Sequence, residues 1–271
     1  MLDNKFIVDG STRVYGIIGN PIAQVRSPEV MTARFREAGR NAILIPIQVA
    51  PDTFEDTMRG IMRIGNLDGL VITVPYKARA LALADRLMPT GEQVGAINAL
   101  RREPDGSWSG DMFDGKGLVA GLRGRGFDIA GSKVKMIGAG GAGSAVAVAL
   151  AEAGAHAIDI YDVDRARAQN LADRVKIYFP GCATRAVSNA AAIDGHTLLV
   201  NCSPVGMTAG DGMPAPFGQF DASLMVVDVI MKPEVTPLAA HARACGCRVM
   251  NGIPMLEGQA RGVMAFFGVE G

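Results

Sequence analysis

A glycine-rich turn between two apolar segments constrains the fold of this chain more than any other feature. Residues 134–162 read VKMIGAGGAGSAVAVALAEAGAHAIDIYD, with glycines at Gly138, Gly140 and Gly143. This G-x-G-x-x-G spacing, between a β-branched run and an alanine-rich segment, predicts a strand, a tight turn and a helix. Backbone N–H groups at the start of that helix can hold the pyrophosphate of a dinucleotide. An ordinary α/β unit with a glycine-rich turn is the alternative.

The second apolar segment and the residue after it favour the dinucleotide. Residues 157–161 predict another strand, and Asp162 follows it, roughly 20 residues after Gly143. A carboxylate at this position accepts hydrogen bonds from the hydroxyls of the adenine ribose and repels a 2′-phosphate. We therefore expect NAD to be preferred over NADP, although Arg165 and Arg167 follow and could reach a phosphate.

The composition is that of an ordinary globular protein and argues against nucleic-acid and membrane partners. The chain has 271 residues, of which 49% are hydrophobic and 20% charged, and its formal net charge is zero. No excess of positive charge indicates nucleic-acid binding. The longest uninterrupted apolar run, Ala145 to Ala151, is too short to span a bilayer. The N-terminal MLDNKF lacks the apolar core of a signal peptide, so we expect a cytoplasmic protein without a membrane partner. The expected oligomeric state is a monomer or a homodimer.

The cysteines and histidines form no recognisable metal site, and no metal is expected. The cysteines show no C-x-x-C pair, which predicts reduced thiols in the core or in loops. The histidines are far apart in the sequence, and we expect a surface role for each. These residues are Cys182, Cys202, Cys245, Cys247, His156, His196 and His241.

Strands and helices alternate along the chain, which predicts an α/β fold with two domains. In the first half we predict strands at 14–18, 43–49 and 69–74, a hairpin around 94–108, a loop at 110–117, and helices at 27–38, 51–64 and 78–87. Ser27 is the predicted N-cap of the first helix. From residue 134 onward, the predicted strands are 134–137, 157–161, 183–187, 198–201, 226–230 and 248–251.

These elements predict two domains of different kinds. Residues 1–115 form an N-terminal α/β substrate domain with a mixed sheet, which a C-terminal helix at 253–271 rejoins. Residues 116–252 form a Rossmann-type, parallel-sheet domain that binds the dinucleotide. The cofactor cleft is expected between the two domains.

Several loop motifs occur in an order that matches one family. They are N-P-I-A at 20–23 with S-P at 27–28, T-V-P-Y-K at 73–77, G-A-I-N at 95–98, G-D at 110–111 with D-G at 114–115, the glycine turn, N-C-S-P-V-G-M at 201–207, and Gly252 with M-L at 255–256 and Q-A at 259–260. Over essentially the whole chain this resembles the shikimate/quinate dehydrogenase family. The resemblance implies NAD(P)-dependent oxidation of a ring alcohol to a ketone by a two-domain α/β enzyme.

The resemblance also implies roles for residues by position. Lys77 and Asp114 correspond to the catalytic pair. The implied substrate contacts are Ser27 toward the carboxylate, Thr73 in the pocket, Asn98 and Gln259 at the ring hydroxyls, and the flanking Val25 and Phe113. The implied cofactor contacts are Gly138, Ala139, Gly140, Gly141, Ala142, Gly143, Asp162, Arg165, Cys202, Pro204, Gly206, Met207, Val229 and Gly252.

The residue types of the pair suit the reaction independently. Forming a ketone requires a group that takes the proton of the alcohol, and no metal site or histidine offers one. Lys77 follows a buried strand, where partial desolvation favours its neutral form, whereas an adjacent carboxylate favours the charged form. The alternatives are a surface lysine at the start of a helix and, for Asp114, a helix N-cap. Asn98 and Gln259 could instead cap backbone groups.

The sequence departs from the family pattern around the substrate carboxylate. Val25 stands where the family usually has a serine, and Phe113 where it has a threonine. Met112, Val71 and Met231 replace other polar residues. A hydrogen bond to a charged group is worth roughly 1.5–3 kcal/mol, so two lost bonds would lower shikimate turnover about a hundredfold or more.

Two hypotheses follow from these departures. In the first, the chain is a divergent dehydrogenase that disfavours shikimate or accepts a less polar ring alcohol, with Arg26 either replacing the lost carboxylate contacts or lying exposed. In the second, the chain is a catalytically silent, NAD-binding regulatory paralogue. The retained Lys77 and Asp114 speak against the second, because a sensor needs no proton-transfer pair.

Overall fold

The computed structural model describes residues 8–269. The prediction made from the N-terminal hexapeptide falls on residues 1–7 and lies outside that range. The chain divides into two compact units. Within the described range, unit 1 comprises 8–92, Ala96–Met112 and 260–269, and unit 2 comprises Gln93–Gly95 and Phe113–Gln259.

Unit 1 contains a six-stranded mixed sheet, here sheet A, with the order β2-β1-β3-β5-β6-β4. β1 pairs in parallel with β2 and β3, whereas β5 is antiparallel to β3 and β6. The mixed sheet predicted for the N-terminal half is confirmed. Its strands are β1 (Arg13–Gly19), β2 (Ala42–Gln48), β3 (Leu67–Ile72), β4 (Arg86–Leu87), β5 (Ala99–Arg102) and β6 (Trp108–Asp111), and the helices of this part of the chain are α1 (Ser27–Glu37), α2 (Phe54–Ile61) and α3 (Pro89–Val94).

The core of unit 1 forms where α2 covers sheet A. Phe54 and Met58 lie one helical turn apart on α2 and are fully buried, as their spacing predicts. They pack with Leu70 and Ile72 of β3 and with Tyr76. Five of the six residues of β3 are buried, so this strand is covered on both faces.

The predicted helix at 78–87 is wrong. Only a short 3₁₀ turn, Arg79–Leu83, is present, and β4 and α3 follow it. Asp85 N donates to Trp108 O at 2.8 Å and Met88 N to Gly110 O at 2.9 Å, so this segment pairs with β6. Strand pairing of residues distant in sequence overrides the local helical propensity of an alanine- and leucine-rich segment.

The boundaries of several other helices and strands also differ from the predictions. The N-cap of α1 is Arg26, and Ser27 is already the first helical residue. The predicted loop at 110–117 is partly wrong, because β6 extends to Asp111 and a helix begins at Asp114. In the predicted hairpin, strand β5 starts only at Ala99, since α3 extends to Val94.

Unit 2 is organised around a parallel six-stranded sheet, here sheet B, with the order β12-β11-β10-β7-β8-β9. All of its pairings are parallel, which confirms the predicted Rossmann-type sheet. Its strands are β7 (Lys133–Ile137), β8 (Ala157–Tyr161), β9 (Ala183–Ala186), β10 (Leu198–Asn201), β11 (Met225–Asp228) and β12 (Arg248–Met250), and its helices are α4 (Asp114–Arg123), α5 (Gly141–Glu152), α6 (Arg165–Tyr178) and α7 (Pro237–Ala244).

The last helix, α8 (Ile253–Phe266), begins in unit 2 and ends in unit 1. Within residues 8–269, no helix combines the length and apolar composition needed to cross a lipid bilayer.

Candidate active site

Three of the predicted site residues of unit 1 meet at one edge of sheet A. Thr73 and Lys77 follow the carboxyl end of β3, and Asn98 precedes β5, which is antiparallel to β3 and therefore starts at the same edge. Ile72 N donates to Asn98 O at 2.8 Å, and Ile97 N donates to Lys77 O at 2.9 Å. We call this the Lys77 edge, defined by Thr73, Lys77 and Asn98.

The loop after β1 joins the Lys77 edge. Asn20 N donates to Val74 O at 3.0 Å. A Cβ on Gly19 would lie 2.5 Å from Thr73 Cγ2, so the threonine side chain packs on bare backbone. At the end of this loop Val25 is half-buried and Ser27 is buried. The structure therefore brings the loop that carries Val25 and Ser27 to the same edge as Thr73.

Tyr76 fixes the backbone beside Lys77 and was missed from the sequence. Its ring is fully buried and stacks on Phe54 with 4.1 Å between centroids. Its hydroxyl donates to Val49 O, and its N–H donates to Thr73 O at 2.9 Å. Lys77 itself is half-buried. An aromatic residue next to a candidate catalytic lysine was the available signal.

Asp114, Phe113 and Gln259 belong to unit 2. Phe113 is the N-cap residue of α4, and Asp114 is 2% exposed in the first turn of that helix. The backbone of α8 at Gln259 passes so close to Gly117 that a Cβ there would lie 2.7 Å from Gln259 N. Asp114 and Gln259 therefore occupy neighbouring helices: Gln259 lies at the contact between them, and Asp114 lies about one helical turn before it.

The glycine turn between β7 and α5 has the geometry that the spacing predicted. A Cβ on Gly143 would lie 2.0 Å from Gly138 O, so only glycine permits the start of α5 to approach the turn this closely. The N-cap of α5, Gly140, makes no side-chain bond, so the first N–H groups of the helix are left to solvent or a ligand. The turn fits an anionic group such as a pyrophosphate.

Asp162 lies beside the turn, at the carboxyl end of β8. Its carboxylate accepts hydrogen bonds from Ala139 N at 2.7 Å and from Asp164 N at 2.9 Å. A carboxylate has roughly four lone-pair sites, so these two bonds leave acceptor capacity for ribose hydroxyls. A cavity of about 310 Å³ adjoins the turn, and its lining includes Ala139, Ser144, Asp164, Arg167 and Arg174. Arg165 lines a different cavity.

The remaining predicted cofactor residues follow three other strands of sheet B. Because all these strands are parallel, their carboxyl ends lie along one edge, here called the glycine-turn edge. Val229 and Gly252 meet there, since a Cβ on Gly252 would lie 2.1 Å from Val229 O. The residues that follow β7, β8, β10, β11 and β12 at this edge are Gly138, Ala139, Gly140, Gly141, Ala142, Gly143, Asp162, Cys202, Pro204, Gly206, Met207, Val229 and Gly252.

A buried polar network holds the loop after β10 and was missed from the sequence. Asn201 donates to Asp228 Oδ1 at 3.1 Å, and Thr236 donates to Asp228 Oδ2 at 2.6 Å. Ser203 donates to Asn201 Oδ1 through both N and Oγ. Burial raises the pKa of Asp228, and the bonds from Thr236 and Asn201 oppose that rise. No local pattern links residues this far apart in sequence.

Further along the same loop, Asp211 secures its tip. The carboxylate accepts bonds from Gly206 N at 3.0 Å and Thr208 N at 2.9 Å, which hold the pKa of Asp211 below its usual value. Cys202, at the start of the loop, is kept as a thiol because burial raises its pKa. All four cysteines are free thiols.

Comparison with known proteins decides the family. A profile of the shikimate dehydrogenase substrate binding domain matches residues 17–100, and a ThiF family profile matches residues 124–178. Shikimate dehydrogenase (NADP(+)) from Rhodospirillum rubrum is 34% identical over 97% of this chain and 94% of its own length. The chain belongs to the shikimate/quinate dehydrogenase family. It is an oxidoreductase that acts on an alcohol group and binds NAD(P).

Similar solved structures agree with the fold. A shikimate 5-dehydrogenase from Listeria monocytogenes, in complex with shikimate and NAD, is 26% identical with a TM-score of 0.88 and covers 97% of this chain and 94% of its own. A 5-ketofructose reductase of Gluconobacter is 27% identical with a TM-score of 0.84 and covers 96% and 94%. The predicted two-domain α/β fold of shikimate dehydrogenases is therefore confirmed.

The prediction of a surface role is wrong for His196. Its side chain is 12% exposed, and Nε2 lies 3.2 Å from Asp159 Oδ2. Asp159 also accepts two bonds from Arg185, and it stands opposite the buried Lys135 in the register of sheet B. Burial alone would raise the pKa of Asp159, but Arg185 and His196 together hold it below its usual value.

Proposed function

We propose that the protein catalyses NAD(P)-dependent interconversion of a cyclic polyhydroxy acid of the shikimate or quinate type and its ketone. The observation that carries the proposal is the Lys77 edge, where main-chain hydrogen bonds tie the segments of Lys77, Thr73 and Asn98 together. The domain that contains sheet A binds the substrate, and the domain that contains sheet B binds the cofactor. The names of the relatives support this class of substrate.

Lys77 and Asp114 form the proposed catalytic pair. Lys77 takes the proton of the hydroxyl as the carbonyl forms and returns it in the reverse direction, while Asp114 orients the ammonium group and balances its charge. Tyr76 holds the Lys77 backbone in place. Asn98 and Gln259 bind ring hydroxyls, Ser27 binds the carboxylate, and Thr73 lines the pocket.

The glycine turn and the loops at the glycine-turn edge hold the proposed cofactor, which accepts or donates the hydride when bound. Backbone N–H groups of Gly140 to Gly143 would contact its pyrophosphate, while those of Gly138 and Ala139 shape the turn by donating to Tyr161 O and to Asp162. Asp162 would accept bonds from the adenine ribose. The carboxylate supports a preference for NAD, although Arg167 and Arg174 beside the same cavity are able to attract a phosphate. Replacing Asp162 with asparagine should narrow the gap between the kcat/KM values for NAD and NADP. An unchanged ratio would contradict the role of Asp162.

Steady-state turnover of shikimate and quinate, followed at the nicotinamide absorbance, tests the reaction. Lys77→Ala should lower kcat by about a hundredfold or more, because removing a general base costs 10²–10⁴. Lys176→Ala, at an exposed position of α6, is the matched control and should leave kcat unchanged. NAD binding without turnover of any cyclic alcohol would favour the silent paralogue.

A second candidate substrate class, ring or sugar alcohols without a carboxylate, is supported by Val25 and Phe113. Val25 offers no hydrogen bond where the family has a serine, and Phe113 adds apolar surface. The 5-ketofructose reductase from Gluconobacter, by its name, acts on a neutral keto sugar and shares this fold. Val25→Ser should raise kcat/KM for shikimate about tenfold, since a bond to a carboxylate is worth roughly 1.5–3 kcal/mol. Shikimate turnover that is already fast in the unaltered enzyme would remove this candidate.

A further inference from the structure

A cavity of about 390 Å³ lies in unit 1 at the edge of sheet A opposite to the Lys77 edge. Its lining comes from the amino ends of β1, β2 and β3 and the carboxyl end of β5, together with the chain after α8. None of the residues predicted for substrate or cofactor lines it. The volume is within the range of roughly 300–1,000 Å³ that is typical of small-molecule sites.

The floor of this cavity is aromatic and forms because one residue lacks a side chain. Tyr15, Gly69 and Arg101 occupy matching positions on three neighbouring strands. A Cβ on Gly69 would lie 2.7 Å from Phe267 Cε1, so glycine makes room for the phenyl ring. Tyr15 stacks on Phe35 with 4.5 Å between centroids. Burial raises the pKa of Tyr15 to about 12, so its hydroxyl stays a proton donor at neutral pH.

The charge of the lining is positive on balance. Within residues 8–269, Arg13, Arg40, Arg101 and Arg102 line the cavity, and Asp68 is the one carboxylate that lines it. Arg13 is already paired with Asp68, with 2.8 Å between Nε and Oδ2. Arg101 is likewise paired with Glu103, so the excess positive charge of the lining comes from Arg40 and Arg102, and this charge attracts anions.

Main-chain carbonyls at the end of α8 hold two of these guanidinium groups in place. Arg101 donates to Phe266 O at 2.7 Å, and Arg40 donates to Gly268 O at 3.0 Å. Arg101 is also paired with Glu103 at 2.6 Å. A guanidinium has five N–H donors, so these anchors fix its orientation and leave donors for a ligand. Arg40 is exposed and carries its charge to the cavity mouth.

We propose that this cavity is a second ligand site, which binds a small molecule through its carboxylate or phosphate groups. Oriented guanidinium groups are the side chains best suited to hold such oxyanions, and the Tyr15 hydroxyl adds a neutral donor. The site is independent of the catalytic proposal, because it uses none of the same residues.

Calorimetric titration of the full chain with citrate and with inorganic phosphate, at low ionic strength, tests the site. Saturable binding is expected for at least one probe. Arg40→Ala should weaken it about tenfold or more, since a charge-assisted hydrogen bond is lost. Arg243→Ala removes an exposed arginine of α7 and is the matched control for net charge; it should change the dissociation constant less than twofold. Citrate alone identifies carboxylates as the ligand group, and both probes identify oxyanions in general.

Tyr15→Phe keeps the stacked ring and should weaken binding severalfold while leaving the melting temperature nearly unchanged. Saturating shikimate and NAD should not displace the probe, which separates this cavity from the catalytic residues. The proposal would be overturned if neither probe bound saturably, or if shikimate displaced the probe. It would also be overturned if Arg40→Ala and Arg243→Ala weakened probe binding equally.

Discussion

The Lys77 edge of sheet A and the glycine-turn edge of sheet B both include the carboxyl ends of parallel strands, but different features hold their loops in place. At the Lys77 edge a bulky ring, Tyr76, fills the space beneath the loop and fixes it from inside. At the glycine-turn edge the decisive feature is a missing side chain, since Gly143 admits the backbone of Gly138. The support from Tyr76 is therefore lost when atoms are removed, and the close approach of Gly143 to Gly138 is lost when atoms are added.

The largest effect is expected from removing the Tyr76 ring, which tests how the Lys77 edge is supported. Tyr76→Ala removes a fully buried ring and should lower the free energy of unfolding by about 3–5 kcal/mol. Tyr76→Phe keeps the stacking and leaves Val49 O without its donor, at about 1–2 kcal/mol. Urea denaturation measures both, with Tyr178→Ala at an exposed position as control. Equal losses for Tyr76→Ala and Tyr76→Phe would show that the ring does not support the loop.

Gly143→Ala tests whether the glycine-turn edge depends on the missing side chain. The added methyl group would meet Gly138 O at 2.0 Å, so the turn must shift, and we expect a loss of about 1–3 kcal/mol in stability and at least tenfold in cofactor affinity. Gly140→Ala is the matched control, because a Cβ there meets nothing within 4 Å. It should keep the melting temperature and change only the dissociation constant of NADH, measured by the fluorescence of its dihydronicotinamide ring. Unchanged stability of Gly143→Ala would contradict the close approach.

Thr236→Val sharpens the comparison by removing polar support from the glycine-turn edge. The hydroxyl donates to Asp228 and also caps α7 by accepting from Ala239 N at 3.1 Å. Its loss should cost about 1–2 kcal/mol and raise the KM for the cofactor while kcat changes little. Thr53→Val, at an exposed position, should alter neither quantity. A fall in kcat with constant KM would show that the network of Asn201, Asp228 and Thr236 does not act through cofactor binding.

The smallest effect concerns Asp211, whose pKa is lowered by bonds from the backbone of Thr208 and Gly206. A lowered pKa in the folded protein means that this stabilisation is present above the usual value of 3.8 and is lost as the pH falls through the lower folded value. The amide NMR signals of Gly206 and Thr208 should therefore titrate together with a midpoint below 3.8. Asp211→Asn should abolish that titration. A midpoint at or above 3.8 would contradict the hydrogen bonds from Gly206 and Thr208 to Asp211.

The parts that could be predicted from the sequence are those whose cause is local. The glycine turn, Asp162 and the six strands of sheet B follow one another along the chain, so a periodic pattern and a few glycines were enough to predict them. The capped start of α7 at Thr236 and Pro237 is local in the same way. By contrast, β4 depends on pairing with β6, and a local reading of its sequence gave a helix instead.

The chain by itself determined the family, the fold class and the identity of the candidate residues, because each of these is carried by short segments in order. Only the tertiary structure decided how Thr73, Lys77 and Asn98 are tied together, and how Asn201, Asp228 and Thr236 share one buried network. It also placed four arginines around a cavity that no sequence motif predicts. The physical reason is that hydrogen bonds and charges act through space, whereas a sequence pattern records only neighbours along the backbone.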